Sequence, residues 1–391
     1  MTVTDVPGFV AAGIACGIKS PASPDLAFVA TADKAPVTAA GVFTSNKMTA
    51  APVIVCRTNL GRADGQASAV IINSGNANAA TGLEGMRDAI QMSSKTAAAM
   101  GVDNSHVLVC STGLIGYALP MDAIEAGIPE VVAAATTDGG MAAATAMMTT
   151  DTVAKHTTVS AGIDGTEVTV GGIAKGSAML EPNMATMLAV LTTDAELTHE
   201  EATDLLRRAV GPAFNSLTVD GAQSTNDTVL LLANGRAGRV DPESVLEPLS
   251  EACMNLAVMM ADDAEGSTKT VFITVAGAID DDDAAAVARS IANCQLVKCS
   301  WYGKDPYWGR IAAEAGSAAK AFSPETLTIS YGGIVTYSKG ATIEPDVDAL
   351  AKVMDQRQLH LTVDLGQGEG SGRVITTDLT HAYIDENMGT S

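Results

Sequence analysis

The chain is expected to fold as a layered α/β (α+β) sandwich, with a larger N-terminal part and a smaller C-terminal α/β domain. Three observations predict this. Short apolar runs of strand length recur, among them Ala69 to Ile72, His106 to Cys110, Met187 to Leu191 and the run within DTVLLLANG. Between them lie stretches with apolar residues at helical spacing, and such alternation marks stacked sheet and helix layers. From about Gly277 the alternation starts afresh, which divides the chain into a first region at 1–276 and a second at 277–391. A length of 391 residues also exceeds what one core usually holds.

Composition narrows the function classes. Hydrophobic residues make up 47%, aromatics 4% and charged residues 17%, the profile of a globular chain built on Ala, Gly and Val. A net charge of −22 with no basic stripe excludes nucleic acid as a partner and favours solubility. No apolar run is long enough to span a bilayer, so no membrane is expected. The start, MTVTDVPGF, has neither a basic nor an apolar signal region, and a cytoplasmic location is expected. The six cysteines (Cys16, Cys56, Cys110, Cys253, Cys294, Cys299) lack paired metal spacing and read as reduced thiols.

Along the chain, Val53, Ile54 and Val55 read as a strand after a turn at Asn46-Lys47. The Ala69–Ile72 strand ends in NSGNANAATG, Asn73 to Gly82. Its asparagines and Gly75 suit either a site-lining loop or a self-bonded turn. A helix with Met86, Ile90 and Ala97 on one face follows, closing near Gly101. The His106–Cys110 strand opens into STGLIG, where Gly113 leaves room for converging N–H groups. That fits an oxyanion hole, and it equally fits an ordinary strand-to-loop junction. The Ala-rich stretch from about Ile124 to Met148 reads as helical, broken near Gly139-Gly140. Thr157 to Val170 reads as a hairpin turning at Asp164-Gly165.

The centre of the chain is Lys175 to Asp194. Gly176 and Pro182 bar regular structure from its first half, and the apolar run MLAVL then reads as a buried strand. Thr186 stands at that junction. It is either a polar residue opening a strand or a threonine nucleophile served by its own α-amine, which requires the preceding peptide to be cut.

Thr198 and Glu201 have capping-box spacing ahead of a helix bearing Leu205, Leu206 and Ala209. The loop before DTVLLLANG gathers Asp220, Ser224, Thr225, Asn226 and Asp227, as site support or as turn chemistry. Leu249, Cys253, Leu256 and Met260 make the core face of a helix from about Pro248. Glu265, before Gly266, is either an exposed helix end or a group turned into a cleft. Thr270–Val275 is a strand, and the Asp280–Asp283 run suits a helix N-terminus, with no metal assigned. Leu359–Leu365 and Arg373–Leu379 are strands around GQGEGSG. No helix starts after that glycine-rich loop, so a hairpin tip is expected there instead of a phosphate site.

The run KGSAMLEPNMATMLAVLTTDA closely resembles the nucleophile segment of the glutamate N-acetyltransferase/ornithine acetyltransferase family of arginine biosynthesis. GVFTSN, NSGNANAATG, CSTG, MTTD, the STNDT string, DAEGSTK, DPYWGR and the HAY…N tail resemble the same family, so the likeness spans nearly the whole chain. It implies a fold of ornithine acetyltransferase type and self-cleavage between Ala185 and Thr186, giving chains 1–185 and 186–391. Thr186 would be the nucleophile and Thr112 with Gly113 the oxyanion hole. Thr149, Lys175, Glu265, Asn387 and Ser391 would bind substrate, with Thr150 the alternative to Thr149 and Thr390 the alternative to Ser391. The implied reaction is acetyl transfer from N-acetylornithine to glutamate through an acetyl-threonine, with no metal and no cofactor. Acetyl-CoA is a second possible donor, which the net charge and Glu181 disfavour. The implied assembly is a heterotetramer of two alpha and two beta chains. The sequence departs from the family at Tyr307, where Asn is usual, and at Ala178 and Glu181. A self-cleaving aminopeptidase of related architecture and a non-catalytic binding protein stay open as rival classes.

Overall fold

The computed structural model describes residues 2–19, 23–181 and 187–389. It divides into two compact units, Met1–Asn215 with Ala222–Met260, and Ser216–Gly221 with Ala261–Gly389.

The first unit begins with β1 (Phe9–Ile14), β2 (Leu26–Thr31) and β3 (Val37–Phe43), then α1 (Ala51–Arg62). There follow β4 (Gln66–Ala67), β5 (Ala69–Asn76), α2 (Gly82–Met100), β6 (Val107–Leu114), α3 (Met121–Ala133) and α4 (Gly140–Ala146). The hairpin β7 (Lys155–Ile163) and β8 (Thr166–Lys175) precedes β9 (Leu188–Glu196), α5 (His199–Val210), β10 (Thr228–Arg239) and α6 (Pro242–Asp262). Two sheets result, ordered β1-β2-β5-β6 and β4-β3-β10-β9-β8-β7.

Period-two alternation decides which face of each strand is dry. Val70, Ile72 and Leu108 of the first sheet share a core with Ile173, Val190, Leu230 and Leu232 of the second. Their neighbours Ile71 and Val109 point the other way, into a core with Met92, Ile124 and Ile128 of α2 and α3. On the far side of the second sheet, α5 packs against β3. Helices thus cover two stacked sheets, the layered α/β class expected.

Local signals behave as their chemistry requires. Asp164 and Gly165 both take positive φ, 52° and 81°, in the two-residue turn joining β7 to β8. Thr198 and Glu201 form the capping box of α5, and Gly101 closes α2 in the left-handed region.

In this unit three readings need correction. Val53–Val55 is not a strand but part of α1, where Pro52 presets the first turn. Val53, Cys56 and Leu60 are buried at helical spacing while Ile54 is exposed, so period overrides β propensity. In α2, Ile90 faces outward, and the buried stripe runs Ala89, Met92, Ser93, Thr96 and Met100. Ser111 to Leu114 do not leave the sheet, because β6 keeps its parallel pairing with β5 through Gly113.

The second unit runs β11 (Thr270–Ala278), α7 (Asp281–Asn293), α8 (Gln295–Tyr302), α9 (Trp308–Ala318), β12 (Thr328–Tyr331) and β13 (Ile334–Ser338). It closes with β14 (Ala341–Thr342), α10 (Val347–Asp355), β15 (Gln358–Asp364), β16 (Gly370–Thr377) and α11 (His381–Glu386). Its sheet is ordered β14-β13-β12-β15-β11-β16, and the boundary read at 276/277 falls inside β11. The acid run caps α7: Asp280 accepts the Asp283 N–H at 2.8 Å. GQGEGSG is not a hairpin tip. Strands β15 and β16 flank β11 on opposite sides, so the loop crosses the end of β11 and its Gln367 N–H reaches the Gly277 carbonyl at 2.6 Å. Parallel pairing of β15 with β11 is non-local, and no short-range signal announces it.

Gly113 has φ of 129°, and a Cβ there would lie 2.3 Å from the Gly75 carbonyl carbon. Gly113→Ala is therefore expected to lose about 1–3 kcal/mol by urea unfolding. Gly116→Ala, also at positive φ but in open space, is the control and should lose less.

Candidate active site

Asp151 lies in the loop between α4 and β7 and is buried. Its Oδ1 accepts Lys155 Nζ at 2.6 Å and the Gly176 N–H at 2.7 Å. Its Oδ2 accepts the Thr149 N–H at 2.9 Å and lies 3.8 Å from Lys175 Nζ. Burial alone would raise this carboxyl, but Lys175, Lys155 and the amides hold it well below the usual carboxylate range. Lys175, at the end of β8, donates to Thr149 Oγ1 at 2.7 Å. Thr149 and Lys175 are therefore brought together. Thr150 is turned aside, its hydroxyl 2.7 Å from that of Ser177.

Lys19 links this cluster to the oxyanion candidates. Its Nζ donates to the Met148 carbonyl at 2.6 Å, beside Thr149. Its Cγ lies 3.0 Å from where a Cβ on Gly75 would stand, and Gly75 pairs with Gly113. The nearby Asp25 carboxylate accepts four successive amides, from Cys16 to Lys19, which fixes that turn. Thr112 is buried at the end of β6, paired with Ser74 and Asn76. The end of β6 thus places Thr112 and Gly113 near the cations that gather around Thr149.

Asn226 ties the same loops from below. Its Nδ2 donates to the Ala77 carbonyl at 2.6 Å and to the Ser111 carbonyl at 2.9 Å. Asp227 Oδ1 accepts the Met187 N–H at 3.0 Å. Ala185, Thr186 and Ser391 lie outside the described residues, as does Thr390.

In the second unit, Asn387 Nδ2 donates to Glu265 Oε2 at 2.8 Å and to the Tyr383 carbonyl at 2.9 Å. Glu265 is buried, not an exposed helix end. Gly266 makes this approach possible. It has φ of 61°, and a Cβ there would sit 2.3 Å from the Tyr383 N–H nitrogen. Thr380 caps α11 and donates to the Gly266 carbonyl at 2.6 Å, which locks the DAEG corner to the HAY…N tail. Tyr383 is pushed up to about 12 by burial and by Asp220 and Glu265. Sequence reasoning missed Lys19, Lys155 and Tyr383. Lys155 alone left a trace, at four residues from Asp151 in the MTTD motif. Among the described residues no three His, Cys, Asp or Glu side chains gather as a metal site would need. Among them, too, no helix is long and apolar enough to cross a membrane.

Residues 10–389 match the model of the ArgJ family. The chain is 45% identical over 393 residues to the arginine biosynthesis bifunctional protein ArgJ of Thermobifida fusca, covering 100% of both chains. It is 44% identical to the protein of the same name from Mycobacterium leprae, over 100% of this chain and 95% of that one. Among solved structures, ornithine acetyltransferase from Mycobacterium tuberculosis, complexed with ornithine, is 40% identical. That likeness covers 46% of this chain and 94% of the other, with a TM-score of 0.41. The chain belongs to the ArgJ family.

Proposed function

We propose that the protein transfers an acetyl group from N-acetylornithine to glutamate, in a ping-pong reaction through an acetyl ester on Thr186. The family and the full-length relatives named for arginine biosynthesis support the reading. The observation that carries it is the cluster around Asp151, in which Lys175 donates to Thr149 and lies beside a buried carboxylate.

The steps follow from general chemistry. Cutting the Ala185–Thr186 peptide frees an α-amine, whose reference pKa of about 7.7–8.0 leaves a usable neutral fraction in the cell. That amine takes the Thr186 hydroxyl proton as the oxygen attacks the acetyl carbonyl. Thr112 and the Gly113 backbone stabilise the tetrahedral oxyanion, a contact worth about 10²–10³ in rate per donor. Ornithine leaves with the proton, glutamate enters, and its amine takes the acetyl group. Lys175 meets a substrate carboxylate, and Thr149, Glu265, Asn387 and Ser391 are further proposed substrate-binding residues. The halves 1–185 and 186–391 stay together, two of each per molecule. This particle would have twice the 39.7 kDa mass of the chain.

Intact-mass measurement of the purified protein is expected to find two chains, the second starting at Thr186. A fully active preparation holding only the whole chain would refute the ester mechanism. With each donor supplied alone, glutamate acetylation from N-acetylornithine should exceed that from acetyl-CoA in kcat/KM, because a polyanionic donor meets Glu181 and a strongly acidic chain. Equal values would make both donors effective, and acetate released at the transfer rate without glutamate would favour the hydrolase.

Asp151→Asn removes the counter-charge of Lys155 and Lys175. The loss expected at pH 7 is about 3–5 kcal/mol, because a buried carboxylate paired with two buried ammonium groups loses its charge. The folded-state carboxyl lies below its unfolded value, so this stabilisation is present above about pH 4 and fades as pH falls further. Urea midpoints of the two proteins should accordingly converge on acidification. Midpoints that stay equally far apart at every pH would show that the Asp151 charge is not the cause.

A further inference from the structure

The second unit holds a cavity of about 150 Å³ to which the scheme above gives no task. Its volume is several times the share of about 30 Å³ that one water molecule takes. It is also below the size of about 300 Å³ at which pockets for drug-sized ligands begin. The space suits a small metabolite.

Its walls come from the segment before Gly221, the α7–α8 junction, the end of β16 and α11. The first of these is held against the edge strand β16. Leu217 bridges to Ile375, the Thr218 N–H donates to the Ile375 carbonyl at 2.9 Å, and the Thr218 hydroxyl donates to Asn293 Oδ1 at 2.8 Å. Val219 and Asp220, the next two residues, therefore line the cavity from a fixed backbone.

Charges of both signs line it. Lys298, buried on α8, donates from Nζ to the Thr376 hydroxyl at 3.0 Å and to that of Thr377 at 3.5 Å. Asp220 is partly buried and accepts the Tyr383 hydroxyl at 3.4 Å. Asp378 is also in the wall, but its carboxylate serves the protein's own backbone. It accepts the Thr268 and Lys269 N–H groups at 2.9 and 3.0 Å, together with the Thr268 hydroxyl. The Lys298 ammonium and the Asp220 carboxylate are then the charges that a ligand meets, with Val219 and Leu379 as apolar wall.

Such a pair selects against ligands of a single sign. An anion drawn to Lys298 also meets Asp220, and a cation drawn to Asp220 also meets Lys298, so neither recovers its lost hydration. A zwitterion satisfies both, through charge-assisted hydrogen bonds at each end.

We propose that this cavity binds a free α-amino acid with a short apolar side chain, its carboxylate on Lys298 and Thr377 and its ammonium on Asp220. The site lies within the second unit and does not depend on the acetyl-transfer reading. Its occupancy bears on the Glu265–Asn387 pair, because Tyr383 is common to both. The Tyr383 hydroxyl donates to Asp220, while its carbonyl accepts from Asn387. An ammonium arriving at Asp220 competes with that hydroxyl, and α11 responds.

The test is calorimetric titration of the purified protein with L-valine, with isovalerate, which is valine without its ammonium, and with isobutylamine, which is valine without its carboxylate. Valine is expected to bind once per chain, and each single-charge analogue about tenfold more weakly or worse. Asp220→Asn and Lys298→Met should each weaken valine by a similar factor. Should Lys298→Met not fold, judged by its thermal transition, the partly buried Asp220→Asn decides. Amide hydrogen exchange in α11 should change when valine saturates the wild type and stay unchanged in Asp220→Asn. No binding of valine overturns the proposal. So does isovalerate or isobutylamine binding as tightly as valine, or valine binding equally well to Asp220→Asn. Valine bound to the wild type without any change of exchange in α11 overturns the link to Tyr383.

Discussion

One buried carboxylate organises the first unit's candidate site. Asp151 gathers two amides and two ammonium groups from three places in the chain: the α4–β7 loop, the start of β7 and the end of β8. None of these partners could be buried alone, because an ammonium taken from water without a counter-charge costs several kcal/mol. Asp151 cannot be buried alone either. The mutual need fixes Lys175 against Thr149, so that a long and otherwise mobile side chain is already ordered.

Glycine supplies the second constraint. At Gly113 and at Gly266 the backbone of one element comes within about a bond length and a half of where a Cβ would stand. Each lies beside a residue assigned to the reaction, Thr112 in one case and Glu265 in the other. The close approach lets β5 and β6 end together, and it lets the tail helix α11 start against the DAEG corner. In both places the functional side chain is held by packed backbone, which gives the rigidity a preorganised site needs.

How much of this could be read from the sequence depends on how local each cause is. The capping box at Thr198, the turn at Asp164-Gly165 and the Gly101 cap each depend on a few adjacent residues, and they stand where the sequence puts them. Val53–Val55 misled because three β-branched residues outweighed, on paper, the proline and the wider spacing that make α1. The route of GQGEGSG, from β15 to β16 around β11, depends on pairing between distant strands and leaves no local trace. The site divides in the same way. Thr149, Lys175, Glu265 and Asn387 stand in motifs that resemble a family, whereas Lys19 and Lys155 enter only through contacts made by the fold.

Net charge shows the same limit from the electrostatic side. A chain carrying −22 is repelled, as a whole, by anionic ligands. Yet around Asp151 the balance is reversed, with Lys155 and Lys175 in direct reach of one carboxylate and Lys19 close by. Burial lowers the Lys19 ammonium most; Asp25 and Asp151 act against that, and Lys175 adds to it. Exposed charges beyond about 8–10 Å are screened by salt, while a buried excess of positive charge is not. Under the proposed reaction, these buried cations are what a substrate carboxylate would meet. Under that proposal, discrimination between donors would be by size: a compact amino-acid carboxylate would reach the buried cations, while a bulky polyanion would stay in the field of the acidic surface.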